Sequence, residues 1–328
     1  MIISRTPFRI TLGGGGTDLP SYYTKRGGFV LATTISKFMN IIVSEPFDDL
    51  IRVKYSESEI VKHPSELRHK SARVILHHVG IEKKIDIVSL ADIPGEGTGL
   101  GSSSAYIVGL LTALYCLKNV ADLLLYDIAE IANKIESGAL CQPCGKQDHF
   151  MATFGGLKVL EIAKDGSVNV SSVNPTCDID LLDRNLLAFY TNITRSSYDI
   201  LIEQSNRIKN DINNTMYIMD CIKEIGYRIY GAIKSGNFTD VGLLFDDHWK
   251  LKRSISNQMS NDRIDEIYDF ALENGALGGK IVGGGGGGFL LFYVESDHYK
   301  FIKTMKKTGM RYVDFNFEPK GTRIILNE

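Results

Sequence analysis

The chain has 328 residues, 44% of them apolar and 23% charged, with a formal net charge of −2. That balance supports a globular core, and a length of this order favours two domains. The lack of a basic excess argues against a nucleic-acid partner. Five cysteines in so long a chain make no disulfide framework. Cys141 and Cys144 form a lone C-x-x-C, at most half of a zinc site, and read as incidental loop thiols. The first residues lack the basic-then-apolar pattern of a leader, and the longest apolar stretch, 105–117, is too short to cross a bilayer. A cytoplasmic setting with no membrane partner is the expectation.

In chain order, residues 2–4, 29–35, 39–44 and 85–90 are rich in Ile, Val and Thr and predict strands. The stretch 103–117 is apolar almost all round and predicts a buried helix. Leu125, Ile128, Ile131 and Ile135 recur at helical spacing and predict an amphipathic helix over 122–137. A strand follows at 157–162. Residues 165–183 are polar and aperiodic, so a domain boundary is set there, with 1–175 before it and 176–328 after it. Then come a strand at 186–190, helices over 197–234, 239–254 and 263–274, strands at 280–282 and 289–294, a helix near 299–307, and strands at 311–315 and 322–326. Helix and strand mix without regular alternation in both halves, which gives an α+β class.

The 32 glycines cluster in three tight runs, at 13–16, 95–101 and 283–288, each beside apolar segments. Such runs bring backbone close to a ligand, because glycine has no Cβ to obstruct it. The middle run, Gly95-Glu96-Gly97-Thr98-Gly99-Leu100-Gly101, leads into Ser102-Ser103-Ser104 and the apolar helix. A helix N-terminus offers unpaired N–H groups to an anion, and a glycine-rich approach lets them close on phosphate oxygens. There is no Gly-Lys-Ser/Thr, so the loop is not a Walker A motif. No G-x-G-x-x-G opens a βαβ unit, which argues against a nicotinamide oxidoreductase. A serine N-cap with a flexible approach would read the same way in isolation.

Together the runs carry a resemblance. The central loop, the segment Arg9-Ile10-Thr11-Leu12-Gly13-Gly14-Gly15-Gly16-Thr17-Asp18, and Lys280-Ile281-Val282 followed by six glycines resemble the three signatures of the galactokinase, homoserine kinase, mevalonate kinase and phosphomevalonate kinase (GHMP) superfamily, in the same order. The resemblance implies an N-terminal, ATP-binding domain like ribosomal protein S5 domain 2 and a ferredoxin-like C-terminal domain, with the active site between them. It implies that Gly97, Gly99, Leu100, Gly101, Ser102, Ser103 and Ser104 hold the ATP phosphates. It implies that Ser103 and Glu136 bind Mg²⁺, and that Asp148 takes or orients the acceptor proton with Arg9 beside it. It puts Gly15, Gly16, Thr17, Asp18, Lys146, Gln147, Arg195, Gly285 and Gly286 against the substrate. Galactokinases carry Glu-His where this chain has Gly15-Gly16, which argues against galactose.

Four further segments narrow the branch: the Gly-Gly-Gly-Thr-Asp ending at Asp18, Cys144-Gly145-Lys146-Gln147-Asp148, Tyr190-Thr191-Asn192-Ile193-Thr194-Arg195-Ser196, and Trp249-Lys250-Leu251-Lys252-Arg253. They look like those of the D-glycero-D-manno-heptose 7-phosphate kinases, and also like the kinase part of L-fucose kinases. The resemblance implies ATP-dependent phosphorylation of an anomeric hydroxyl, feeding nucleotide-activated heptose synthesis for surface glycans, by a monomer or homodimer. A non-catalytic sugar sensor on the same fold is the alternative of another class. Arg195, Lys146, Arg73 and Lys250 are the candidates for holding a substrate phosphate. The segment 51–74 is the expected place for adenine contacts.

Overall fold

The structure is a computed structural model that describes residues 1–93, 97–120, 123–176, 178–193 and 197–328. It opens with β1 (Ile2–Gly13), α1 (Pro20–Arg26) and β2 (Gly28–Ser44). The hairpin β3 (Ile51–Lys54) and β4 (Ser58–Val61) precedes α2 (Lys70–Val79) and β5 (Ile85–Ala91). Next come α3 (Ser102–Leu117), α4 (Leu125–Lys134), α5 (Gln147–Phe154), β6 (Leu157–Ile162) and β7 (Val168–Ser172). Then follow α6 (Asp180–Asn185), β8 (Leu186–Tyr190), α7 (Ser197–Lys209), α8 (Thr215–Ser235), α9 (Phe238–Ile255) and α10 (Asp262–Glu273). The chain closes with β9 (Gly278–Ile281), β10 (Phe289–Tyr293), α11 (His298–Lys306), β11 (Arg311–Val313) and β12 (Arg323–Asn327).

Two sheets organise these elements. The first runs β12-β1-β2-β5-β3-β4, with β6 joined to β2 and β7 to β6. On the side away from β1, β2 serves two neighbours, its first half pairing with β6 and its second half with β5. The second sheet, β11-β8-β10-β9, is antiparallel throughout. In the first sheet β3 and β5 run parallel while β1–β2, β2–β5 and β2–β6 are antiparallel, so the α+β class holds.

The apolar helix read over 103–117 is α3, and it packs into the main core through Ile107, Val108, Leu110, Leu111 and Leu114, all 0% exposed. Burial on nearly every side explains why its sequence shows no polar stripe. The separate strands read at 29–35 and 39–44 are one strand, β2, which bulges at Ser36 and Lys37 between the Ile35–Phe8 and Phe38–Pro7 pairs with β1. The helix read over 122–137 ends at Lys134 and widens into a π turn over Ile135–Ala139, closed by Leu140 N–H donating to the Ile135 carbonyl at 2.9 Å. The long helix read over 197–234 is broken into α7 and α8. Asp211, Asn213 and Asn214 take φ of 47°, 54° and 56° there, a left-handed region that Asp and Asn tolerate. The polar stretch 165–183 contains β7 and the start of α6, and β7 extends the first sheet. The last strand, β12, returns from the C-terminal part of the sequence to pair with β1.

Candidate active site

Residues from all three glycine runs border one cleft of about 1360 Å³, among them Gly16, Gly97, Gly99, Gly101, Gly283 and Gly284. The middle run ends in the N-terminus of α3, where Gly101 caps the helix at φ 76°. Ser102, Ser103 and Ser104 follow in the first turn and face the cleft. Leu100 does not: its side chain is in the core, while its carbonyl accepts from the Arg9 N–H at 3.1 Å. Its contribution to the site is backbone. Glycine is needed where the middle and last runs cross. A Cβ at Gly99 would lie 2.2 Å from the Val282 carbonyl oxygen, and one at Gly283 would lie 2.6 Å from the Gly99 Cα.

The π turn after α4 carries Glu136 into the interior against α3. Its carboxylate accepts from Ser103 Oγ and Ser104 Oγ, each at 2.6 Å, and faces His149 Nε2 at 2.6 Å. Burial alone would raise this carboxyl, but His149 and the two serine hydroxyls outweigh burial and hold it at about 2. Glu136, Ser103 and Ser104 thus present hard oxygen donors together beside the phosphate loop, which suits a hard divalent cation.

Arg9, on β1 and 4% exposed, donates from Nε to Asp148 Oδ1 at 2.7 Å and pairs through Nη2 with the same oxygen at 2.6 Å. Its Nη1 donates to the Gly99 carbonyl. Asp148 lies in the first turn of α5 and closes against Gly101. One arginine therefore ties the phosphate loop to the aspartate.

Asp18 lines the same cleft. Its carboxylate accepts from Gly16 N–H at 3.1 Å, Gln147 N–H at 3.1 Å and Gln147 Nε2 at 3.2 Å, and Thr11 Oγ1 donates to Gln147 Oε1 at 2.6 Å. Burial raises the Asp18 carboxyl above its usual value, against these hydrogen bonds. Gly145 makes this fit: a Cβ there would lie 1.9 Å from Asp18 Oδ2.

Several residues expected at the substrate do other work. Thr17 is fully buried, and its hydroxyl bonds the Gly14 and Phe29 carbonyls, locking the turn. Gly15 packs beside Thr11 and is not in the lining. Lys146 is held by Glu130 at 2.7 and 2.9 Å and lies outside the lining. In the last run Gly283 and Gly284 reach the cleft, whereas Gly285 and Gly286 pack on Met259. Arg73 donates to the Leu67 carbonyl, and Lys250 pairs with Asp246 at 2.6 Å on the surface. Arg195 lies outside the described residues, as do Pro94, Gly95 and Glu96 of the phosphate motif.

Other lining residues escape a reading of motifs. Tyr55, His69 and Tyr106 form an aromatic wall, with Tyr55–His69 centroids 4.6 Å apart and His69–Tyr106 centroids 4.8 Å apart. Tyr55 and His69 fall within 51–74. Cys144 lies near Glu136 and His149, and burial raises its thiol. Lys252 borders the cleft from α9. A signal for it existed: His248, Trp249, Lys252 and Ile255 recur at helical spacing on the buried face of α9, so Lys252 occupies an apolar stripe.

Residues 66–156 match the GHMP kinases N terminal domain, and residues 229–309 match the GHMP kinases C terminal family. The chain is also 31% identical over 337 residues to the D-glycero-alpha-D-manno-heptose 7-phosphate kinase of Campylobacter jejuni, with 98% of each chain covered. The chain belongs to the GHMP kinase family. This GHMP kinase, a phosphotransferase, is 24% identical over 371 residues to the L-fucokinase/L-fucose-1-P guanylyltransferase of Bacteroides fragilis, covering 99% of this chain and 38% of that one. Its fold matches a crystal structure of a D-glycero-D-manno-heptose 1-phosphate kinase from Bacteroides thetaiotaomicron with a TM-score of 0.81 at 22% identity, over the whole of both chains. The two-domain α+β fold that the three motifs implied is thus the GHMP kinase fold.

Proposed function

We propose that this kinase transfers the γ-phosphoryl group of ATP to the anomeric hydroxyl of D-glycero-D-manno-heptose 7-phosphate in the cytoplasm, giving the 1,7-bisphosphate for nucleotide-activated heptose synthesis. The observation that carries the phosphotransfer reading is the Arg9–Asp148 pair bonded to the phosphate loop at Gly99, in the same cleft as Asp18. The full-length similarity to a heptose 7-phosphate kinase supports the sugar. Residues 1–175 would form most of the nucleotide side and 176–328 supply the rest of the cleft.

In this reading the α3 N-terminus and its serines bind the ATP phosphates. Asp18, fixed by Gln147 and the Gly16 N–H, accepts hydroxyl hydrogen bonds from the sugar. Asp148, aimed by Arg9, takes the proton from the anomeric hydroxyl. The hydroxyl oxygen bonds to the γ-phosphorus, the bond from that phosphorus to the β,γ-bridging oxygen breaks, and ADP departs with the electron pair. Magnesium, when bound with ATP, neutralises phosphate charge, and Glu136, Ser103 and Ser104 are the oxygens suited to hold it. Tyr55, His69 and Tyr106 offer stacking surface for adenine. Arg195 is retained as a candidate for the 7-phosphate, since Lys146, Arg73 and Lys250 have partners elsewhere.

A coupled ADP-release assay over heptose 7-phosphate, heptose, heptose 1-phosphate, L-fucose, galactose and mevalonate tests the proposal. Heptose 7-phosphate should give the highest kcat/KM. Equal efficiency on heptose and its 7-phosphate would sink the phosphate requirement, and preference for L-fucose would move the enzyme to the other branch.

A further inference from the structure

One buried cation at the cleft has no part in the reaction as described. Lys252 is 4% exposed on α9, yet it borders the cleft. Its Nζ donates to the Gly283 carbonyl at 2.8 Å. Gly283 is packed against Gly99, whose carbonyl accepts from Arg9 Nη1. Ammonium, guanidinium and phosphate loop therefore meet at one backbone crossing. The charged and titratable groups around Lys252 are Asp18 and Arg9 from β1 and its following turn, Lys280 from β9, and His248 one turn earlier on α9.

The surroundings make this an expensive place for a lysine. Burial lowers its ammonium to about 8, with Asp18 pulling it up and Arg9 pushing it further down. Lys280 and His248 are lowered well below their ordinary values, again chiefly by burial. Neither Lys280, which donates to the Leu12 carbonyl at 3.0 Å, nor His248 belongs to the cleft lining. Lys252 alone of these three does. A perturbed cation in a cleft is the pattern of a functional group. A lysine ammonium carries three donors, and the Gly283 carbonyl takes one. Arg9 commits donors to Asp148 and Gly99, so it is a partly used partner for a phosphoryl group carrying charge on three oxygens.

We infer that Lys252 is a second catalytic cation: its ammonium meets the oxygens of the phosphoryl group in transit, beside Arg9, and Gly283 holds it there. The inference rests on the phosphotransfer reading above and adds a residue to it. Bond making and breaking are unchanged; Lys252 gives and takes no proton in the step and stabilises charge on the non-bridging oxygens.

The test compares wild type, Lys252→Met, Lys252→Arg and the surface control Lys250→Met, using whichever sugar the wild type phosphorylates fastest. Circular dichroism and thermal unfolding establish folding first. The expected result is a folded Lys252→Met enzyme with kcat lower by about 10²–10³-fold and both KM values within about threefold of wild type. Lys252→Arg should recover part of the loss, and Lys250→Met should match wild type. In the wild type, kcat/KM should fall as pH rises through about 8, where Lys252 loses its proton, and Lys252→Met should lack that limb. A folded Lys252→Met enzyme with near-wild-type kcat, a defect confined to KM for the sugar, or an unchanged alkaline limb would each overturn the assignment. No turnover of any sugar by the wild type would instead sink the kinase reading on which it rests.

Discussion

Removing the Lys252 charge should strengthen the fold while it weakens the enzyme. The ammonium is lowered from an ordinary 10.5 to about 8 by burial. A lowered lysine means that the folded state disfavours the charged form, so the penalty is full below pH 8. It shrinks between pH 8 and 10.5, where the unfolded chain holds the proton and the folded chain does not, and it vanishes above. At pH 7 the difference is about 3 kcal/mol, at about 1.4 kcal/mol for each unit. Lys252→Met also loses the hydrogen bond to the Gly283 carbonyl, worth about 1 kcal/mol, so the net gain is about 2 kcal/mol. Scaled by an unfolding entropy of about 2 cal/mol/K per residue, that raises Tm by about 3 °C. Urea or thermal unfolding of both proteins from pH 6 to 10.5 measures it. Stability of Lys252→Met should exceed wild type at pH 7, and the gap should close by pH 10.5. A variant less stable than wild type at pH 7, or a gap that ignores pH above 8, would refute the reasoning.

Asp148→Asn keeps the shape of the Arg9 contact but loses the charge. It should fold with wild-type stability to within about 1 kcal/mol and lose about 10²–10⁴-fold in kcat; near-wild-type turnover would remove Asp148 from the reaction. Gly145→Ala sets a methyl group against the Asp18 carboxylate, 1.9 Å from Oδ2. Steady-state kinetics should show KM for the sugar raised about tenfold or more, at about 1.4 kcal/mol per tenfold, with KM for ATP nearly unchanged. Glu136→Gln removes a buried carboxylate that its partners hold at about 2 and should lower stability at pH 7 by about 3 kcal/mol, at about 1.4 kcal/mol for each unit, while raising the Mg²⁺ needed for half-maximal rate. Because the Glu136 carboxyl is depressed to about 2, its stabilisation is present above about 4.5 and is lost as pH falls towards 2. The gap between wild type and Glu136→Gln should therefore close on acidification, as denaturant titrations at pH 7 and pH 3 can show.

The sequence by itself determined the parts of this protein that depend on short-range chemistry. Glycine runs mark close backbone approach because no other residue can occupy those crossings, so Gly99 and Gly283 are legible in the sequence. The α3 helix was legible from its apolar surface, and the α+β class from the mixture of patterns. Arg9, Asp18, Glu136 and Asp148 were legible through motif resemblance, and the structure brings them to one cleft or its wall. The tertiary structure decided what depends on partners distant in the chain. Lys146 and Lys250 carry the same charge as Lys252, but Glu130 and Asp246 hold the first two elsewhere while the third borders the cleft. Thr17 became a turn lock because the Phe29 carbonyl lies beside it. The turn that carries Glu136 inward is a π turn, set by packing on α3 rather than by helical periodicity. The return of β12 to β1 joins the two ends of the chain, and strand pairing over such a separation leaves no local mark in the sequence.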